Sequence, residues 1–250
     1  MIKLKNSEQL ELMKKAGRIT GEALYLAGEA VKEGVSTLML DKIVRNHIES
    51  QGAKPSFLGY AGFPASACIS VNDEVIHGIP SENKILKEGD IVKIDVGAFY
   101  KGFHGDSART YAVGKVSAEA EKLITATKEG FFKGAEKAVI GNRIGDISSA
   151  IEEHILKNGF SVVRSYVGHG IGHDLHEDPE VPNYGLPGRG ARLSAGMTLA
   201  IEPMVNVGTH AVKVLSDKWT VVTADGKLSA HYENTVAITE NGPLLLTEIQ

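Results

Sequence analysis

The chain has little cysteine and tryptophan, one residue of each, and it lacks a long apolar segment. The single cysteine, Cys68, excludes an internal disulfide framework and agrees with a reducing compartment. No stretch approaches the roughly 20 consecutive apolar residues that cross a bilayer, and the charged start MIKLKNSEQLELMKKAG does not resemble a signal peptide. We therefore expect a cytoplasmic protein without a membrane segment.

Excess charge of either sign is also missing. The formal net charge is -4 at pH 7, which argues against a general nucleic-acid or membrane-surface binder. Of the 250 residues, 42% are hydrophobic, which is enough to build a sizeable core in one large domain or two small ones. These values predict a globular protein with no polyanionic partner.

Apolar residues spaced three or four apart predict four helices, each followed by a glycine suited to a C-terminal cap. Apolar runs between turn signals predict strands that pair mostly antiparallel, so the expected class is α+β. The predicted helices are 7–33, 37–51, 118–140 and 146–158, followed by Gly34, Gly52, Gly141 and Gly159. The predicted strands are 67–71, 91–98, 108–113, 162–167, 198–205 and 230–238.

An internal repeat connects the two halves of the chain. Identical residues recur at an offset of 107, among them the histidines at 47 and 154 and the glycines at 89 and 196, and they fall in like elements. The segments LKEGDIVKID and LSAGMTLAIE align so that Asp95 and Glu202 occupy equivalent positions. We expect one domain, 1–250, made of two pseudo-symmetric halves, roughly 1–115 and 116–250.

Five potential metal ligands lie in apolar or glycine-rich sequence. Burying an isolated carboxylate costs several kcal/mol or forces it to take up a proton, so inward acids usually meet a cation. One acid beside a strand is more often a turn former or an exposed strand residue, but five ligands ordered by a repeat favour a metal site. They are Asp95, Asp106, His169, Glu202 and Glu233.

The types of these ligands predict a metal-dependent hydrolase. Four acids and one imidazole suit two ions such as Mn, Fe or Co better than a structural zinc, and ions that share acids can bind a hydroxide between them. That hydroxide would attack a carbonyl polarised by the same ions, while Glu202 or Glu233 relays the proton. The run GHGIGHDLHEDP could suggest a three-histidine zinc site, but its glycines argue against a helix, so we assign only His169 to metal.

Motifs along essentially the whole chain resemble those of the type I methionine aminopeptidases, in the short bacterial form. They are HGIP (77–80), KIDVGA (93–98), GDSARTY (105–111), GHGIG (168–172), LAIEP (199–203) and SAHYENT (229–235). The resemblance implies the pita-bread fold, with its pseudo-two-fold repeat, and a dinuclear centre bridged by Asp106 and Glu233. It further implies that Asp95 chelates one ion, that His169 and Glu202 complete the other, and that Glu202 also transfers protons.

The resemblance also implies two active-site histidines that are not ligands and a pocket for the methionine side chain. His77 would contact the scissile amide and His176 would assist the tetrahedral intermediate, although a lone histidine after a strand is more often a surface or capping residue. An unbranched, polarizable methionine suits aromatic and sulfur-bearing walls, and we interpret Cys68 as packing there, not as a nucleophile. The implied lining is Phe57, Tyr60, Phe63, Cys68, Leu175 and Trp219, each an ordinary core residue if taken alone.

Three of these pocket residues depart from the pattern of bacterial relatives. Phe57 stands where a cysteine is common, Phe63 where a tyrosine is common, and Leu175 where a phenylalanine is common. All three changes remain apolar, so they affect the fine shape of the pocket and leave the expected reaction unchanged.

The implied activity is removal of the initiator methionine from nascent polypeptides whose second residue is small. It requires two divalent ions per chain, Co, Mn, Fe or Zn, among which ligand chemistry does not choose. The expected partners are the N-terminal methionine of nascent peptides and, transiently, the ribosome; we expect a monomer with no specific nucleic-acid sequence and no membrane as partner. Two alternatives share the fold: an Xaa-Pro or creatine-cleaving hydrolase, which usually carries a separate N-terminal domain, and a non-enzymatic binding protein, which would have lost ligands.

Overall fold

A computed structural model describes residues 1–249, and its helices and strands confirm the predicted α+β class. The helices are α1 (Ser7–Glu29), α2 (Thr37–Ser50), α3 (Ala118–Ala135) and α4 (Ile144–Lys157). The strands are β1 (Lys54–Pro55), β2 (Ala67–Val71), β3 (Glu74–Ile76), β4 (Ile91–Tyr100), β5 (Phe103–Ala112), β6 (Ser161–Val162), β7 (Gly168–Gly170), β8 (Glu177–Val181), β9 (Thr198–Ile201), β10 (Met204–Asn206), β11 (Val212–Val214), β12 (Val221–Thr223), β13 (Ser229–His231), β14 (Asn234–Thr239) and β15 (Gly242–Leu245).

Side-chain caps explain where three of the helices begin. Asn6 and Gln9 form a reciprocal capping box at α1, and Ser36 and Ser117 accept backbone N–H groups at the starts of α2 and α3. Such caps satisfy amides that have no partner inside the helix. The helix starts therefore follow from local sequence.

The ends of α1 and α3 lie earlier than predicted, because the following residues pair with a distant segment. The N–H of Gly34 donates to Leu86 and that of Gly141 donates to Leu193, with φ angles of 85° and 94° at the two glycines. These glycines therefore form turns in the left-handed region and do not cap the helices. The glycines predicted at the ends of α2 and α4 do follow those helices directly.

The repeat is present in the backbone as well as in the sequence. Adding 107 to the bounds of α2 and β1 gives the bounds of α4 and β6. The hydrogen bonds of the two glycine turns are equivalent in the same way, and so are the isolated bridges Ser36–Ile85 and Arg143–Arg192. The predicted pseudo-two-fold repeat is therefore confirmed.

Two of the four antiparallel sheets in the described residues lie beside the helix pairs, one from each half of the chain. One has the order β1-β4-β2, with β5 also paired to β4, and the other has the order β15-β14-β9-β7-β8. α1 and α2 pack on the apolar side of the first sheet, and α3 and α4 pack on a separate buried cluster with β9 and β14. No helix of residues 1–249 is long and apolar enough to cross a membrane.

Three of the predicted strands differ from the structure. The run 162–167 is wrong, since only Ser161–Val162 pairs there. The runs 198–205 and 230–238 are each interrupted, at 202–203 and at 232–233. Pro203 has no N–H to continue a ladder, and each interruption contains one of the predicted metal ligands.

Candidate metal centre

One cavity of about 150 Å³ collects all of the residues that the sequence suggested for the site. Its polar lining comes from both sheets and its apolar lining comes mainly from the segment before β2. The lining residues are Phe57, Tyr60, Phe63, Cys68, His77, Asp95, Asp106, His169, Leu175, His176, Glu202, Trp219 and Glu233.

In the first half, the register of β4 and β5 places two acids on the same face. Asp95 lies opposite Ala108 and Asp106 lies opposite Gly97. Because alternate residues of a strand share a face, Asp95 and Asp106 are diagonal neighbours. A Cβ atom at Gly97 would lie 2.8 Å from side-chain atoms of Phe57, so the glycine makes room for the cavity wall.

The second half repeats this arrangement with different ligands. His169 on β7 lies opposite Ala200 on β9, so Glu202 follows on the same face, and Nε2 of His169 is 3.5 Å from Oε1 of Glu202. Asn234 pairs with Ile201 at the start of β14, which places Glu233 beside Glu202 in the gap between strands.

Direct hydrogen bonds join the two halves at the acids. The N–H of Glu233 donates to the carbonyl of Ala108 at 2.9 Å, and the hydroxyl of Ser107 donates to the carbonyl of Glu233 at 2.8 Å. The side chain of Thr235 brackets the backbone of Asp106, donating to its carbonyl and accepting from its N–H. Ligand atoms of Asp106, Glu233 and His169 consequently lie within 4.8 Å of one another.

Burial sets the electrostatics of the four carboxyls. It raises the pKa of Asp95 to about 7 and that of Glu202 to about 8. The pKa values of Asp106 and Glu233 also lie well above their ordinary range, first through burial and then through repulsion from the neighbouring acids. Four buried carboxyls of this kind are strongly destabilised as anions unless positive charge compensates them.

The donor set fits divalent cations. Oδ1 of Asp95 and Oδ1 of Asp106 are buried without a hydrogen-bond partner within the described residues. Nδ1 of His169 is 2.8 Å from the carbonyl of Gly170, which can only accept, so Nδ1 carries the proton and the lone pair of Nε2 faces the cavity. Unpartnered carboxylate oxygens and an oriented imidazole are the ligands that such ions use.

Two further histidines stand beside these ligands. His77 has a φ of 59°, a strained value for a residue other than glycine, and its ring meets Tyr166 edge-on at 5.8 Å. Burial, followed by the nearby imidazoles, lowers the pKa of His77 to about 4. His176 lies at the mouth, with Nδ1 2.8 Å from the hydroxyl of Tyr60.

The apolar wall is mostly closed to solvent. Phe57, Phe63 and Leu175 are buried, and the rings of Phe63 and Trp219 pack edge-on at 5.1 Å. Burial raises the pKa of the Cys68 thiol well above its ordinary range, so this cysteine does not supply a thiolate nucleophile.

Two residues that sequence reasoning passed over contact the candidate ligands, and a histidine that it set aside lies elsewhere. Arg109, in the GDSART motif, donates to the carbonyl of Glu233, and His231, in SAHYENT, has Nε2 3.7 Å from Oε2 of Glu202. The only sign of their importance in the sequence was that both residues lie in motifs that carry the family resemblance. His173 is exposed, and its Nδ1 is 2.8 Å from the carbonyl of Gly102, away from the acids.

Comparison with known proteins agrees with this geometry. Residues 11–240 match the model of metallopeptidase family M24. A methionine aminopeptidase of Clostridium perfringens is 61% identical over 250 residues, with 100% of each chain covered. A methionine aminopeptidase structure from Thermotoga maritima has a TM-score of 0.98 at 45% identity and covers 100% of both chains.

A more distant structure, a prolidase from Pyrococcus furiosus, has a TM-score of 0.80 at 27% identity and covers 99% of this chain but 66% of its own. The pita-bread fold expected from the motifs is therefore confirmed. High identity over full length, the matching family model and the cluster of buried acids agree: the chain belongs to metallopeptidase family M24 and, within it, to the methionine aminopeptidases.

Proposed function

We propose that this metallo-aminopeptidase removes the initiator methionine from nascent polypeptides whose second residue is small. The observation that carries the proposal is one cavity in which four buried carboxyls and His169 adjoin an apolar wall of aromatic and sulfur-containing side chains. The acids require cations, and the wall suits a thioether, so the two parts together fit hydrolysis beside a methionine.

The proposed metal site contains two divalent ions, Co, Mn, Fe or Zn. Asp106 and Glu233, which come from the two halves, would be shared by both ions, with Asp95 on one and His169 and Glu202 on the other. When bound, such ions lower the pKa of water toward neutrality and polarise a carbonyl group.

The residues around the ions would handle protons and orient the peptide. Glu202 lies within the cluster of candidate ligands, with Oε1 3.5 Å from Nε2 of His169, and is the proposed proton carrier. His77, whose pKa is lowered to about 4, is neutral at pH 7 and can donate one N–H to the scissile amide. His176, held by Tyr60, would donate to the carbonyl oxygen as charge develops there.

The proposed methionine pocket is formed by Phe57, Tyr60, Phe63, Cys68, Leu175 and Trp219. A methionine side chain fills irregular apolar space and makes favourable contacts between its sulfur and aromatic rings. Burial of four of these residues excludes water from the space that the side chain would occupy. A charged first residue would lose its hydration there without a partner.

The whole chain would act as one catalytic domain, with halves of roughly 1–115 and 116–250 that share the site. We further propose that it works as a cytoplasmic monomer in transient association with the ribosome, where its nascent substrates emerge. The modest net charge of -4 supports neither a specific nucleic-acid sequence nor a membrane as partner.

The test is cleavage of Met-Ala-Ser by metal-stripped protein after addition of Mn²⁺ or Co²⁺. We expect release of methionine only with the ion, and no cleavage of Met-Ile-Lys, which copies the chain's own first three residues. Failure with every divalent ion, or release of the first residue from an Xaa-Pro dipeptide instead, would reject the proposal.

Asp106→Ala is the decisive variant, since Asp106 would contact both ions. We expect it to lose bound metal and activity together, by at least about 100-fold, because both ions would lose a ligand that they share. Asp174→Ala is the matched control: Asp174 is exposed and outside the cavity, so both properties should persist. Metal content by elemental analysis and methionine release measure the two effects.

A further inference from the structure

His231 is a buried side chain whose hydrogen-bonding capacity is unused. It ends β13, two residues before Glu233, and it is 1% exposed. Neither ring nitrogen has a partner within the described residues. Leaving a buried polar group unpartnered costs about 1–3 kcal/mol, and such groups in native proteins usually have a functional reason.

One carboxyl that faces this imidazole belongs to Glu202. Nε2 of His231 is 3.7 Å from Oε2 of Glu202, while the other carboxylate oxygen, Oε1, is 3.5 Å from Nε2 of His169. Glu202 therefore lies between two imidazoles, one on each oxygen. Hydrogen bonds between nitrogen and oxygen span about 2.7–3.2 Å. A side-chain shift of less than about 1 Å would therefore bring Nε2 of His231 within hydrogen-bonding distance of Oε2 of Glu202.

The backbone around His231 is anchored to the other half of the molecule. Its N–H donates to the hydroxyl of Thr110 at 2.9 Å, and that hydroxyl donates to its carbonyl at 2.8 Å. Thr110 lies on β5, the strand that carries Asp106. The ring is therefore held in the same rigid frame as the candidate ligands.

We propose that His231 is a positioning residue whose Nε2–H donates a hydrogen bond to Oε2 of Glu202, keeping that carboxylate turned so that Oε1 faces His169. This inference rests on the role proposed above for Glu202 as ligand and proton carrier. A neutral imidazole has one donor nitrogen, and a hydrogen bond to a ligating carboxylate fixes its orientation, typically at a cost of 10- to 100-fold in metal affinity or activity when removed.

The experiment compares His231→Leu, which fills the space without a donor, with His231→Gln, whose amide N–H can still reach Glu202. Ser229→Ala is the control, since Ser229 is buried on the same strand and its hydroxyl donates to the carbonyl of Val205, not to a candidate ligand. Each purified, metal-stripped variant is titrated with Mn²⁺ by calorimetry, and kcat and KM are measured separately for Met-Ala-Ser.

We expect His231→Leu to bind at least one Mn²⁺ about tenfold or more weakly and to lose kcat by a similar factor, with KM changed less than about threefold. His231→Gln and Ser229→Ala should stay within about threefold of the unmodified chain in both measurements. A leucine variant with unchanged Mn²⁺ affinity and kcat would overturn the inference, as would a folded glutamine variant that loses as much as leucine.

Two safeguards separate this inference from the proposed function and from misfolding. If the unmodified chain binds Mn²⁺ but does not cleave Met-Ala-Ser, the proposed function fails, while the Mn²⁺ titration still tests the contact between His231 and Glu202. If the leucine variant does not fold, His231→Asn replaces it, because its shorter amide cannot reach Glu202. Equal Mn²⁺ affinity in the Asn and Gln variants would then overturn the inference.

Discussion

Tyr60 lies at the mouth of the proposed methionine pocket, where its hydroxyl is 2.8 Å from Nδ1 of His176. The two rings are tilted against each other with centroids 5.3 Å apart. This contact orients the imidazole of His176, a partly exposed residue, relative to the cavity. The ring of His176 lies with its centroid 4.2 Å from that of His169, so the imidazole stands beside the candidate ligands.

Tyr60→Phe removes only that hydroxyl. A single hydrogen bond contributes about 0.5–1.5 kcal/mol, so we expect kcat/KM for Met-Ala-Ser to fall roughly 2- to 10-fold while metal binding stays unchanged. Tyr25→Phe is the control, because Tyr25 is an exposed tyrosine on α1. Equal activity in the two variants would show that His176 does not need the contact.

At the scale of elements, the junction between β5 and residues 233–235 holds the two halves of the site together. Arg109 is the main polar side chain there. Its guanidinium donates to the carbonyl of Glu233 and to Oδ1 of Asn234, and it stacks 4.0 Å from the ring centre of Tyr232. One half-buried side chain thus contacts three consecutive residues of the other half.

Arg109→Gln should destabilise the fold, because the shorter side chain leaves buried acceptors without their charged donor. We expect a loss of about 2–4 kcal/mol in the free energy of unfolding, equivalent to roughly 4–16 °C in Tm for a chain of this length. Arg45→Gln is the matched control: Arg45 pairs with Glu49 on the exposed face of α2 and should cost about 0.5 kcal/mol or less. Thermal unfolding of both variants measures the difference. Equal losses of Tm in the two variants would show that Arg109 does not hold the two halves together.

The interruptions in β9–β10 and β13–β14 are also features of elements, and they explain the second pair of acids. Glu202 and Glu233 lie in these gaps, whereas Asp95 and Asp106 lie within β4 and β5. Asp95 and Glu202 therefore occupy equivalent positions in the two halves, but Asp95 lies within a strand and Glu202 lies between two strands. Periodicity alone predicted continuous strands there, because the residues on both sides remain apolar.

At the scale of the whole molecule, the four buried carboxyls make stability depend on pH when cations are removed. Their raised pKa values mean that the folded chain binds more protons than the unfolded chain, so each contributes stability at low pH and loses it as pH rises through its folded pKa. For Asp95 and Glu202 that loss extends to about pH 7 and 8. The pKa values of Asp106 and Glu233 lie above their ordinary range as well.

The lowered pKa values of buried histidines and of Lys93 have the opposite effect: they make stability rise with pH, over other ranges of pH. Burial lowers the pKa of five histidines, so they destabilise the fold only below their ordinary pKa of 6.5 and have no further effect above it. The pKa of Lys93 is lowered to about 7, so this residue makes the fold more stable as pH rises above 7. Its single contribution is smaller than the combined opposite effect of the carboxyls. Four of them are His77, His104, His169 and His231, with pKa values of about 4, 4, 3 and 4, and the fifth is His176, whose pKa is also lowered by burial.

We therefore expect the Tm of the metal-stripped chain to fall between pH 6.5 and 8.5. The increase in Tm on adding saturating Mn²⁺ should be larger at pH 8.5, because ions bind carboxylates only after their protons leave. Differential scanning fluorimetry at both pH values measures this. The double variant Asp95→Asn with Glu202→Gln should show a smaller fall, and an Mn²⁺ effect independent of pH would contradict the assignment of the ligands.

The sequence by itself determined the types of group at the site and much of the local structure. Four acids and His169 in apolar surroundings indicated a metal hydrolase, and the offset of 107 related Asp95 to Glu202. The bounds of α2 and α4 followed from periodicity and capping glycines, because these depend on neighbouring residues. The expected family was confirmed by its full-length relatives.

Only the tertiary structure decided features that depend on contacts between residues far apart in the chain. The turns at Gly34 and Gly141 shorten α1 and α3 because each pairs with a segment about 50 residues away. The side chain of Arg109 and the backbone of His231 bond residues of the other half, more than 100 residues distant. Local periodicity contains no information on such contacts, so the candidate ligands could be named from sequence, whereas the residues that hold them in place could not.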